Sequence, residues 1–280
     1  MAWSTRWPAP AQRPRRSAPE MHVTVRGAGP ALVLLHGWAM HGGVFEPLAG
    51  LLESRFTLHL VDLPGHGLSR DDAMALAPRA VADALLAQLP PAIWIGWSLG
   101  GLVALAAAQR APGAVHALGM LAASPRFVRG EGWTEGMDPA IFRRFADDLA
   151  IDYRAAVDRF VLLEAQGSDH AREEIRALRA LVFARGEPTV ARLCEGLRAL
   201  EDTDLRAGLP ALAMPSLWLA GRRDRLVSPP AMQRAAAACG GRFVEVAHAG
   251  HAPFLTHAAE VADAIVALTM RAGMTAAVPA

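Results

Sequence analysis

The chain has 280 residues, 52% apolar and 20% charged, with a formal net charge of +1. That balance excludes a disordered chain and gives no electrostatic case for nucleic acid or an anionic membrane surface. All 28 basic residues are Arg, so a lysine Schiff base and a phosphate-loop lysine are excluded as well.

The first 20 residues are rich in Pro and Arg and lack the apolar core of a secretory signal. They are expected to be a disordered leader or an over-extended start, with Met21 an alternative first residue. Residues 22–26 alternate as an edge strand. ALVLLHG (31–37) is a continuous apolar run ending in Gly, the pattern of a strand buried on both faces. Residues 44–52 have helical spacing, 56–62 form the next strand, and 74–89 form a helix. A strand at 92–97 leads into a helix at 99–110, and 115–122 is again a strand. From about Ser124 to Arg206 only helical faces occur: Ile141, Phe142, Phe145 and Leu149; Val157, Phe160, Val161 and Leu163; Val190, Leu193, Leu197 and Leu200. Strand alternation resumes at 216–221, followed by a helix after Pro229, a strand at 242–247 and a helix at 258–271.

Alternating strands and helices predict a mostly parallel, doubly wound α/β sheet. Residues 21–123 and 207–272 form its core, 124–206 a helical cap inserted over the carboxyl ends of the strands, and 273–280 a frayed tail. No apolar run reaches the ~18 residues of a membrane span. Cys194 and Cys239, without a CxxC pair, fit reduced thiols in a cytoplasmic protein.

Gly96-Trp97-Ser98-Leu99-Gly100-Gly101 stands where a strand hands over to a helix. A serine nucleophile on such a turn needs small neighbours, because the backbone is strained and φ is positive. A hydroxyl also needs a base, and on this scaffold the order is Ser, acid, His. Among His170, His248, His251 and His257, the choice falls on His251: it lies in HAGHAPF after the last strand, followed by a stiff Ala-Pro-Phe turn. His248 is its near competitor. Asp224 follows the strand 216–221 directly and is expected to fix the tautomer of His251; Asp202 and Asp204 precede that strand. Arg222 and Arg223 leave a surface ion pair as the other use for Asp224. The oxyanion requires two N–H donors, assigned to Leu99 and Trp38, with His36 bracing the loop. Asp62 to Ser69 reads as a structural turn. These residues predict an α/β-hydrolase fold and serine ester hydrolysis, with no metal or cofactor.

HGW, FTLHLVDLPGHGLS, AIWIGWSLGGLVA and HAPF together resemble the pimeloyl-[acyl-carrier protein] methyl ester carboxylesterases of biotin biosynthesis, over about residues 21–270. The resemblance implies a catalytic triad of Ser98, Asp224 and His251. It implies substrate contacts from Trp38, Leu99 and the segment Phe160-Val161-Leu162-Leu163-Glu164. That segment usually ends in Gln in the family; an acid at 164 would disfavour a carboxylate ligand but tolerate a neutral ester. The partner implied is an acyl carrier protein docked on Arg159, Arg172 and Arg176, against a chain otherwise expected to be monomeric. Arg172, Arg176 and Arg179 share one helix face by spacing, although 124–206 holds 13 Arg against 16 Asp plus Glu. A short-chain carboxylesterase, a carbon–carbon bond hydrolase and a non-catalytic binding protein are the alternatives.

Overall fold

The computed structural model describes residues 20–274; the expected leader and tail lie outside the described residues except for their inner ends. Seven strands form one sheet in the order β1-β3-β2-β4-β5-β6-β7. They are β1 (Val23–Gly27), β2 (Ala31–Leu35), β3 (Thr57–Val61), β4 (Ala92–Trp97), β5 (Val115–Leu121), β6 (Ser216–Gly221) and β7 (Arg242–Val246). Only β1 runs antiparallel, pairing with β3 at one edge; the other pairs are parallel. Every residue of β4 is buried, because helices cover both faces of a strand at the middle of the sheet.

Helices α1 (Glu46–Leu52), α2 (Pro78–Gln88), α3 (Leu99–Arg110), α8 (Pro229–Ala238), α9 (Pro253–Thr256) and α10 (Ala258–Arg271) flank the sheet. The helix expected from residue 74 starts at Pro78. Proline pushes the preceding Ala77 into an extended conformation (φ −99°, ψ 117°), which bars an earlier start. The segment expected to be helical from 44 is a 3₁₀ turn (Gly42–Phe45) that passes into α1.

Between β5 and β6 the chain inserts α4 (Pro139–Ile151), α5 (Tyr153–Ala165), α6 (Ala171–Leu181) and α7 (Val190–Asp202). Asp152 ends α4 and caps α5, accepting the N–H of Ala155 at 3.0 Å. Thr189 caps α7. Each such cap contributes about 1 kcal/mol. Most residues of the apolar faces seen in the sequence are turned inward, with Phe142, Leu149, Val157, Phe160, Val161, Leu193, Leu197 and Leu200 all buried, whereas Val190 at the first turn of α7 is exposed. No helix among the described residues is long and apolar enough to cross a membrane.

Candidate active site

Ser98 sits at the junction of β4 and α3 with φ 52° and ψ −119°, a left-handed conformation for a non-glycine residue. Such strain costs about 1–3 kcal/mol and persists only where the surroundings enforce it. Here the enforcement is close packing at glycine. A Cβ on Gly96 would lie 2.3 Å from the carbonyl oxygen of Gly100, and one on Gly100 would lie 2.2 Å from that of Leu35. The turn after β2 therefore presses against the start of α3. Gly37 continues that approach: a Cβ there would stand 3.3 Å from Cβ of Ser98.

His251 lies on the loop between β7 and α9, its ring centroid 5.7 Å from that of Trp97, the residue before Ser98. Its Nδ1–H donates to Oδ2 of Asp224 at 2.8 Å, and both side chains are fully buried. Oδ1 of Asp224 accepts the N–H groups of Leu226 (2.8 Å) and Val227 (3.0 Å). A carboxylate can only accept, so the proton lies on Nδ1 of His251 and Nε2 is left as a bare acceptor. That Nε2 is buried and has no hydrogen-bond partner. An imidazole so prepared can take a proton from a neighbouring hydroxyl.

Two hydrogen bonds and one packing contact hold the His251 loop. The indole N–H of Trp97 donates to the carbonyl of His251 at 2.8 Å. The N–H of His251 donates to the carbonyl of Glu164 on α5 at 3.1 Å. Phe254 packs edge-on against Trp97 with centroids 5.1 Å apart. The acid loop is joined to the histidine loop by Arg223 N–H donating to Ala249 O at 3.0 Å.

A family model described as the alpha/beta hydrolase family matches residues 32–264. The chain belongs to that family. A protein of Stenotrophomonas maltophilia named pimeloyl-[acyl-carrier protein] methyl ester esterase is 58% identical to this hydrolase, covering 88% of this chain and 95% of the relative. A protein of the same name from Xanthomonas campestris pv. campestris is 54% identical, covering 88% and 97%. Among solved structures, an esterase from Exiguobacterium antarcticum superposes with a TM-score of 0.78 at 22% identity, covering 89% of this chain and 95% of that one. The enol-lactonase from Burkholderia xenovorans gives 0.78 at 20% identity, covering 89% and 96%. At such identities these two show the fold alone.

The other histidines and acids weighed for the site lie elsewhere in this hydrolase. His248 is exposed and bonds to Asp169 at 2.8 Å, and Arg223 pairs with the same carboxylate. Arg222 faces Glu245 at 3.8 Å, so neither neighbouring arginine takes Asp224. Asp204 is held by Arg126 and Arg206. His36 braces the loop as expected: Nε2 accepts the N–H of Leu63 (2.9 Å), and Nδ1–H donates to Gly37 O (2.7 Å).

Of the expected substrate contacts, Trp38, Leu99, Phe160 and Val161 are buried together in the core. Trp38 packs on Phe160 with centroids 4.5 Å apart and donates its indole N–H to Leu193 O on α7 at 2.8 Å. Leu162 differs: it is 41% exposed, on the outer face of α5. Leu163 is half-buried and lines a groove of about 420 Å³ between α4 and α5, with Met137, Ile141 and Phe145. Glu164 departs from the expectation of a charged contact. It is fully buried with neither carboxylate oxygen hydrogen-bonded. Burial, then the charges of Asp224 and Glu174, push its carboxyl well above the usual range.

Arg159 lines the groove beside Asp148, at 2.9 Å. Its neighbour Asp158 turns the other way, to a two-pronged bond with Arg179 of α6. Arg172 and Arg176 are exposed on α6. The roles of Trp97 and the Glu164 carbonyl in holding His251 escaped the sequence reading. The Trp in GWSLGG was visible there, but what it bonds to lies 154 residues further on.

Proposed function

We propose that this chain hydrolyses the methyl ester of a pimeloyl group carried on acyl carrier protein, the step that frees the carboxylate in biotin biosynthesis. The observation that carries the reading is the buried Asp224–His251 pair, which leaves Nε2 a bare acceptor and packs on Trp97 next to the strained serine, in a chain 58% identical to a relative of that name.

Oγ of Ser98 attacks the ester carbonyl while Nε2 of His251 takes its proton. The N–H of Leu99, among the first of α3 and so without an intrahelical partner, and that of Trp38 receive the oxyanion. The positive end of the α3 dipole adds to that stabilisation. Asp224 steadies the imidazolium. His251 then returns the proton to the departing methoxide, methanol leaves, and an acyl-enzyme remains on Ser98. Water attacks this ester, passing one proton to His251, which returns it to Oγ as the carboxylate departs.

The helices at 124–206 act as a cap whose apolar inner face, with Phe160 and Leu163, guides the acyl chain. Arg159, Arg172 and Arg176 offer paired donors to the acidic carrier. The chain works in the cytoplasm as a monomer.

The test is turnover of a carrier-linked pimeloyl methyl ester, together with rescue of a biotin-requiring strain lacking its own esterase. Wild type should release methanol and restore growth, and Ser98→Ala should do neither. Growth restored by Ser98→Ala, or a preference for small p-nitrophenyl esters over the carrier-linked ester, would refute the assignment.

A further inference from the structure

The loop after β2 carries Gly37 and Trp38, and three links tie it to the inserted helices. The first is Trp38 Nε1–H to Leu193 O. In the second, Nε2–H of His41 donates to Leu181 O at 2.9 Å, while its Nδ1 accepts the N–H of Gly43 at 3.1 Å. The third is ionic. Nη1 of Arg185, between α6 and α7, lies 3.2 Å from each carboxylate oxygen of Asp62. Asp62 in turn accepts the N–H of Gly42 at 2.7 Å and that of Leu68 at 2.8 Å.

Asp62 is fully buried, and a buried carboxylate is tolerated only with partners. The imidazoles around it supply no charge near neutral pH. Burial, with neighbouring charges, lowers His36 to about 3 and His66 to about 4, and burial lowers His41 too. Among the described residues Arg185 is therefore the cation paired with Asp62. Its guanidinium also lies against the loop: a Cβ on Gly43 would stand 3.2 Å from Nη2 of Arg185. The loop itself holds Ala39 at φ 61°, a strained conformation that lasts only while its surroundings over-determine it.

We infer that Arg185 is a positioning residue that makes the seating of the helical insertion and the alignment of the Trp38 N–H a single event. It touches neither ester nor nucleophile; it acts through Asp62 and Gly42 on the strained loop. Lifting the α6–α7 segment would take the countercharge from Asp62 and the clamp from the loop. Reseating it sets the donor again. The inference rests on Trp38 being an oxyanion donor, as proposed above.

The test measures kcat and KM on a small p-nitrophenyl ester, with active sites titrated by a fluorophosphonate so that only folded enzyme is counted. Arg185→Ala should lower kcat on the order of 10- to 100-fold, as a misplaced donor does, with KM changed by about threefold at most. Arg185→Lys should recover most of the loss. A strap that is merely structural would lower Tm and leave the titrated kcat of Arg185→Ala within about twofold of wild type; that result overturns the inference. If the Ala variant does not fold, Arg185→Gln against Arg185→Lys decides by the same measure, and equal kcat values overturn it. Failure of wild type to label, or labelling that survives Ser98→Ala, would instead overturn the underlying reading of Ser98. That outcome is distinct from an active enzyme indifferent to Arg185.

Discussion

Glu164→Gln removes an ionisable proton from a side chain that is fully buried with neither oxygen hydrogen-bonded. In the unfolded chain a glutamate titrates near its ordinary value of about 4.3. In the folded chain burial, then Asp224 and Glu174, raise it well above that. Between the two values the folded state holds a proton that the unfolded state has released. The slope of unfolding free energy against pH is then negative. Stability is fully present below the unfolded pKa and is lost by about 1.4 kcal/mol per pH unit as pH rises toward the folded one. The Gln variant lacks this loss. Its carboxamide still leaves buried polar atoms unpaired, costing about 1–3 kcal/mol, but that offset does not vary with pH. Glu174, raised by burial first, contributes in both proteins and cancels. Equilibrium urea unfolding of wild type and Glu164→Gln, compared as pH rises from the unfolded pKa, should give a difference that moves in favour of Gln by up to about 1.4 kcal/mol per unit. In Tm this is about 2–4 °C per kcal/mol for a chain of this size. Two curves that run parallel above the unfolded pKa would refute the upward shift of Glu164.

Gly100→Ala places a methyl 2.2 Å from Leu35 O and 2.7 Å from His36 O; titrated kcat should fall by about 100-fold or more, and wild-type kcat would contradict the close approach. Trp38→Phe leaves the buried Leu193 carbonyl without its donor, which should cost about 1–3 kcal/mol in urea unfolding. His248→Ala should keep kcat within about twofold while His251→Ala loses about a thousandfold or more; equal losses would reverse the choice between them.

The core of the fold was legible because strands buried on both faces read as unbroken apolar runs, as in AIWIGW and SLWLAG. The serine turn was legible because glycine at 96 and 100 is a steric demand that few other arrangements make. The start of α2 was misplaced because Ala and Leu propensity extended the pattern through Met74 to Ala77, where the geometry before Pro78 prevails. Glu164 and Arg185 were beyond sequence reasoning for a different reason. The upward shift of the first depends on α5 burying it beside Asp224 and Glu174. The use of the second depends on Asp62, 123 residues away. The sequence marked Asp62 as part of a turn but carried no sign of its distant cation.

Trp97 stands immediately before the serine and, through its indole N–H, also carries the main chain of His251. The proposed nucleophile and the proposed base thus share one support. In a directed-evolution library, exchanging residue 97 alone would shift both parts together and confound every rate measured. Residues 97 and 251–254 are better randomised as one block, with partners for the carbonyl supplied in the same clone.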